Sequence, residues 1–222
     1  KVDLKEIYTI DNFIDEIKSN ELRDLFLNNK KKSFLKPGNS FTIQSVEKER
    51  NRLIKLFRDN GVYNFQQNSL QFIAKIDSSG IDKKIDVVIE INPIQRRVND
   101  TLITIPYKKH KVDEINVFIE SLINNDLNYN YNSSYKGFQI YSKEKLKYKN
   151  KAITDPIFIK KGEWYSDNDR ASTYRYFNSL RNFKYPSITY EPSSDSTLVA
   201  SIILTPKERF SLGLDIDISH SN

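Results

Sequence analysis

The sequence predicts an α+β fold built from two tandem copies of one small unit, with a lone strand at its end. Three observations lead there. A glycine-anchored segment recurs 124 positions along the chain. In each copy an amphipathic helix is followed by two runs of alternating apolar and polar residues. Residues 210–219 then alternate without a fault.

In the first copy Gly38 precedes Phe41 and Thr42; in the second Gly162 precedes Tyr165 and Ser166. Thr42 and Ser166 are N-cap types, whose hydroxyl accepts from unpaired N–H groups of a first helical turn. Asp169 follows Ser166 at capping-box spacing, and each aromatic stands where a hydrophobic staple begins. Ile43, Val46, Leu53, Ile54 and Phe57 recur at helical spacing, leaving Glu47, Lys48, Glu49, Arg52 and Lys55 outside. Gly61 suits a left-handed position past the helix end. In the second helix Tyr174, Phe177 and Leu180 mark the apolar face, and Asn182 is expected left-handed.

After the first helix Leu70, Phe72, Ala74 and Ile76 alternate with Gln71, Ile73, Lys75 and Asp77. A turn at 78–80 leads to Ile85, Val87, Ile89 and Ile91, alternating with Asp86, Val88 and Glu90. The second copy offers Ile188 and Tyr190, a turn at 192–195, then Leu198, Ala200, Ile202 and Leu204. A sheet face of this kind needs a cover, and the amphipathic helix supplies it.

Ahead of each glycine the reading is more open. Residues 8–18 fit a strand or a helix equally. Residues 21–29 read as a short helix, 111–119 as a strand and 152–158 as a short helical turn. Residues 121–150, rich in Asn, Tyr, Ser and Lys, read as a long surface loop with a short strand at 138–141.

The composition is that of a water-soluble chain: 222 residues, with 13 Phe, 13 Tyr and one Trp for core material. No run approaches the roughly 18 apolar residues of a membrane helix. With no Met, and Lys at position 1, the chain reads as part of a longer one. With no Cys there is no disulfide or thiol nucleophile. The net charge of +6 accompanies a general abundance of Lys, Ile and Asn, and the densest basic run, Lys30-Lys31-Lys32, lacks interleaved aromatics, so no nucleic-acid partner is expected. No phosphate loop or nucleophile elbow is present. His110, flanked by lysines, reads as a solvated loop residue. Asp82, Asp86 and Glu90 read as outward charges of a strand rather than a metal site, and Asp215 and Asp217 as lumen-facing polar residues of the last strand. The chain is expected to be no enzyme and to need no cofactor.

Leu35 to Phe41, Glu47 to Ile54 and Arg58 to Phe65 resemble the BamA/TamA outer-membrane assembly family. Gly162 to Ser166, Thr173 to Phe183 and Ile203 to Pro206 add to the likeness, which is nearest to TamA-like members of Bacteroidetes. The resemblance implies two POTRA modules, each βααββ, with 8–18 as a first strand. It divides the chain into a POTRA module over 1–106, a last POTRA module over 107–206 with a loop insertion at 121–150, and a first barrel strand over 207–222. Many members have a glycine where this chain has Asn182.

The family implies the periplasmic side of the cell outer membrane, unfolded outer-membrane clients, and a TamB-type partner or assembly lipoproteins. It also implies contact with outer-membrane lipid, through the lipid-facing Phe210, Leu212, Leu214, Ile216 and Ile218 of the barrel strand. It implies an open edge at Leu70, Gln71, Phe72, Ile73, Ala74, Lys75 and Ile76, and at Ser187, Ile188, Thr189, Tyr190 and Glu191. An extended segment can add there through main-chain hydrogen bonds. Proline at Ile73 is expected to weaken capture and spare the fold. The alternatives are a BamA-type barrel-assembly subunit, a soluble two-module binding scaffold, and a nucleic-acid binder.

Overall fold

The computed structural model describes residues 8–76, 83–119 and 129–207. The strand expected at 210–219, with its five lipid-facing residues, lies outside them, as do Asp82 and the turn at 78–80.

The first unit runs β1 (Tyr8–Asp15), α1 (Asn20–Asn28), a 3-10 turn at Lys30–Lys32, a two-residue β2 (Ser40–Phe41) and α2 (Ile43–Arg58). A second 3-10 turn at Gln67–Ser69 leads into β3 (Leu70–Ile76) and β4 (Lys84–Ile91). Its sheet has the order β2-β1-β4-β3, with β1 parallel and β3 antiparallel to β4. Residues 8–15 are thus a strand. A bulge between Ile10 and Asn12 lets Ile10 and Phe13 both enter the core, which is why a strand carried helix-like spacing.

Next comes a separate hairpin, β5 (Ile94–Val98) and β6 (Thr101–Ile105), turned at Asn99 and Asp100, which both have positive φ. That is the signature of a two-residue type I′ loop. Sequence reading assigned nothing here.

The second unit runs β7 (Lys111–Ile119), β8 (Tyr131–Tyr135), β9 (Phe138–Ser142), α3 (Asn150–Thr154), α4 (Asp167–Leu180), β10 (Phe183–Pro192) and β11 (Thr197–Pro206). Its sheet order is β10-β11-β7-β9-β8, with β7 parallel and β10 antiparallel to β11. The first strand, the two helices and the closing antiparallel pair repeat the first unit. The short strand expected at 138–141 is β9; the expected loop around it needs correction at 131–135, where β8 pairs with β9 in a hairpin that widens the sheet, and Ile140 is buried. The Asn- and Ser-rich composition of 131–135 hid β8, a strand held by backbone bonding more than by burial.

Each unit has its own core. The first gathers Phe13, Phe26, Leu53, Phe57, Phe65 and Val87; the second gathers Val117, Ile140, Phe177, Phe183 and Ile202. The repeat also extends further than the glycines. Glu49 of α2 accepts the Phe34 N–H at 2.9 Å, and 124 positions on Thr173 of α4 accepts the Phe158 N–H at 3.0 Å. Leu53 and Phe177, at the same offset, are both fully buried.

Several sequence expectations move. Thr42 and Ser166 cap as expected, and Thr42 forms a reciprocal box with Ser45. Glu49 lies inside, because Arg52 binds both its oxygens at 2.6 and 2.9 Å while Phe34 satisfies it further. Ile43, in the first turn of α2, and Tyr174 of α4 face solvent. Phe41 and Val46 pack on the core as a staple does, whereas the Tyr165 hydroxyl donates to Asp167 at 2.9 Å. The left-handed residue ending α4 is Arg181, φ 54°, one position before Asn182.

The units meet through backbone. The His110 N–H donates to the Gly61 carbonyl, the Lys109 N–H to Glu21, and the Asn168 N–H to Asp59. The last bond sets a first-unit carboxylate at the N-terminus of α4, where the helix dipole favours it. Gly61 has φ 108°, and a Cβ there would lie 3.0 Å from Lys109 Cβ and 3.3 Å from Trp164. His110 is therefore no solvated loop residue. It is buried, with its ring edge-on to Tyr63.

Candidate functional site

Both segments expected to be edges are outer strands: β3 ends the first sheet and β10 ends the second. What each offers depends on which backbone groups already bond inward. Antiparallel neighbours alternate between residues that exchange both bonds and residues that exchange none.

For β3 the phase follows from two bonds. The Asn92 N–H donates to the Ser69 carbonyl at 2.8 Å, in the register that pairs Leu70 with Ile91. On the far side of β4, the Ile89 carbonyl accepts from Glu16, so Ile89 turns toward β1 and Val88 toward β3. Gln71, Ile73 and Lys75 therefore bond inward, and the N–H and C=O of Leu70, Phe72, Ala74 and Ile76 point outward. The register has no break along these seven residues. Ile73 is thus the wrong place for a proline meant to spare the fold, since its N–H belongs to the ladder with Val88. Its side chain lies on the face away from the helices, across from Val88 and next but one to Ile14.

Leu70 is already satisfied within the unit. Its N–H donates to the Gln67 carbonyl, and its own carbonyl accepts from Arg50 Nη1 at 2.6 Å. Arg50 also lies 5.3 Å over the Phe72 ring and 3.4 Å from Glu47, while Phe72 stacks on Phe13. The bare stretch starts at Phe72.

The β10 edge differs. The Ser193 N–H donates to the Thr197 carbonyl, so Thr189 and Glu191 bond inward while Ile188, Tyr190 and Pro192 point outward. Pro192 has no N–H to offer. A bulge between Lys184 and Ser187 interrupts the strand, with Tyr185 at φ 47° and Pro186 buried. Prolines and bulges are common devices for blunting an edge.

Behind β10 lies a polar cluster that sequence reading missed. Tyr165 meets Tyr190 edge-on at 4.9 Å and donates to Asp167, which also accepts from Arg170 at 3.0 Å. Burial works against the Asp167 carboxylate, but the bonds from Tyr165 and Arg170 hold it below its usual range. Burial first, then the Asp167 charge, pushes the Tyr165 hydroxyl far up, and burial does the same for Tyr190. The aromatic residue before the N-cap was the one available signal. Burial lowers the His110 imidazole. Among the described residues no group of three or more His, Cys, Asp or Glu is placed to hold a metal, and no helix is long and apolar enough to cross a membrane. Asp86 instead accepts from Asn12 at 2.9 Å.

No family model and no curated protein matches the sequence. Solved structures do match it. One is POTRA3-5 of Haemophilus influenzae BamA, 11% identical over 90% of this chain and 61% of that one, TM-score 0.45. Another is Haemophilus ducreyi BamA lacking POTRA domains 1-3, 10% identical over 90% and 30%, TM-score 0.48. A third is POTRA1-2 of the periplasmic domain of Omp85 from Anabaena, 9% identical over 91% and 99%, TM-score 0.43. This chain thus spans about three fifths of the first and about a third of the second. At these identities residue roles do not pass from one chain to the other.

Proposed function

We propose that this chain is the periplasmic POTRA region of an outer-membrane protein that assembles, inserts or translocates other outer-membrane proteins. Its work is to hold extended client segments by strand addition at β3. The observation that carries this reading is the unbroken outer edge from Phe72 to Ile76, whose donors and acceptors point away from the sheet. Main-chain bonding is indifferent to side chains, which suits a varied set of unfolded clients.

In this reading the two units are tandem modules over 1–106 and 107–206, and residues 207–222 begin a barrel through which the protein meets outer-membrane lipid. A TamA-type role with a TamB-type partner is favoured over a BamA-type role with lipoproteins by the motif resemblance. Chemistry on a client is not required, because holding and presenting a strand needs no nucleophile or metal.

Ala74→Pro is the direct test. It removes an outward donor and leaves every bond between β3 and β4 in place. Binding of a fluorescent ten-residue peptide of alternating apolar and polar residues should fall by about tenfold, as expected for one or more lost main-chain bonds. Unchanged affinity in a folded Ala74→Pro variant would sink the reading.

A further inference from the structure

We infer that Arg50 is a stop that fixes where an added strand ends on β3, so that pairing covers Phe72–Ile76 and does not reach Leu70. The inference rests on the strand-addition reading above and deepens it by assigning the extent of the site. Leu70 has the same outward orientation as Phe72, Ala74 and Ile76. Both of its outward groups are nonetheless used, the N–H by Gln67 and the carbonyl by Arg50.

The Arg50 guanidinium is held from three sides. It donates to the Leu70 carbonyl at 2.6 Å, stacks 5.3 Å over Phe72, and pairs with Glu47 at 3.4 Å. Its side chain is mostly buried, at 20% exposure, so it is no waving surface arginine. An incoming strand that paired with Leu70 would have to break its N–H bond to Gln67 and crowd or displace the charge-assisted bond at its carbonyl, exchanging the latter for a neutral one, and the exchange is unfavourable. At Phe72 no bond from the described residues has to be displaced. The ligand is therefore a short extended segment, bonded at Phe72, Ala74 and Ile76, whose end beside Leu70 peels away from the sheet. Arg50 is a positioning residue for register, distinct from the edge groups that make the bonds.

Register can be read by disulfide scanning, because the chain has no cysteine of its own. Gln71, Ile73 and Lys75 are the positions an added antiparallel strand would face without hydrogen bonds, where Cα atoms come close enough for a disulfide. Single variants Gln71→Cys, Ile73→Cys and Lys75→Cys are each mixed with ten-residue alternating peptides that carry one cysteine at successive positions. The unaltered Arg50 background should give cross-links at 73 and 75, with about tenfold less at 71, as one charge-assisted bond implies. Arg50→Met, which keeps the stem over Phe72 but has no donor, should raise 71 several-fold towards the level of 73, the Leu70 N–H bond to Gln67 remaining. Arg50→Lys keeps the charge and a donor and should restore much of the difference; circular dichroism checks that each variant is folded. Equal cross-linking at 71, 73 and 75 with Arg50 in place would overturn the stop while leaving strand addition intact. Absence of cross-links at all three would overturn the strand-addition reading, and the stop with it.

Discussion

β3 and β10 hold the same place in the two units, each antiparallel to the unit's last strand and each at the rim of its sheet. Their outer backbones differ. β3 has no proline and no bulge, and from Phe72 onward no hydrogen bond to its outward groups is made from the described residues of its own unit. β10 has a buried proline at its bulge, an exposed proline near its end and a tyrosine at positive φ. A repeat can therefore keep its topology while one copy offers a surface that the other withholds. The guarded copy is the one whose strand also packs Tyr190 against the Tyr165–Asp167–Arg170 cluster, so its edge is tied to interior bonds.

The largest effect should come from the interior donor that both units satisfy from their long helix. Glu49→Ala strands the Arg52 charge and the Phe34 N–H, and urea unfolding should show a loss of about 3–5 kcal/mol. Thr173→Val leaves only a neutral donor unpaired and should cost about 1–3 kcal/mol. Equal losses would mean that the Arg52 charge adds nothing to the bond the two helices share.

Next is the phase of β3. Ile73→Pro should cost about 1–3 kcal/mol through the lost ladder bond, while Ala74→Pro should cost less than about 1 kcal/mol. The reverse order would place the outward groups at the wrong residues. A smaller effect is expected from Pro192→Thr, which adds an outward N–H to β10. Peptide retention at that edge should rise by about fivefold, the worth of roughly one hydrogen bond, and no rise would show that the bulge alone guards β10.

The smallest effect is at the joint between units. Burial sets the folded His110 pKa below its unfolded value of about 6.5. The unfolded chain then takes up the proton first as pH falls, so this residue costs stability below about pH 6.5 and none above it. Urea midpoints at pH 5.5 and 7.5 should differ less in His110→Gln than in the parent chain.

Much of this was legible in the sequence because the repeat is written in caps and glycines, which act locally. Thr42, Ser166 and the alternating runs declare their elements without help from tertiary contacts. What stayed hidden depends on partners far along the chain. Glu49 looks like a surface charge until Arg52 and the Phe34 N–H surround it, and His110 looks solvated until Gly61 and Tyr63 cover it. The hairpin at 94–105 sits on a turn whose Asn99 and Asp100 signal is weaker than Asn-Gly. At the candidate site the strand could be read from its alternation, but not which of its N–H groups point outward. That phase is set by the bonding of Ser69 and Ile89, and no pattern in 70–76 reveals it.

Residue-resolved amide exchange along β3, with and without an extended peptide, bears on all of this at once. In the protein alone, Gln71, Ile73 and Lys75 should exchange slowly and Phe72, Ala74 and Ile76 quickly; adding peptide should slow the second set and leave Ile188 and Tyr190 of β10 as they were. A peptide that binds while Phe72, Ala74 and Ile76 keep exchanging quickly, or that protects β10 in their place, would contradict the account.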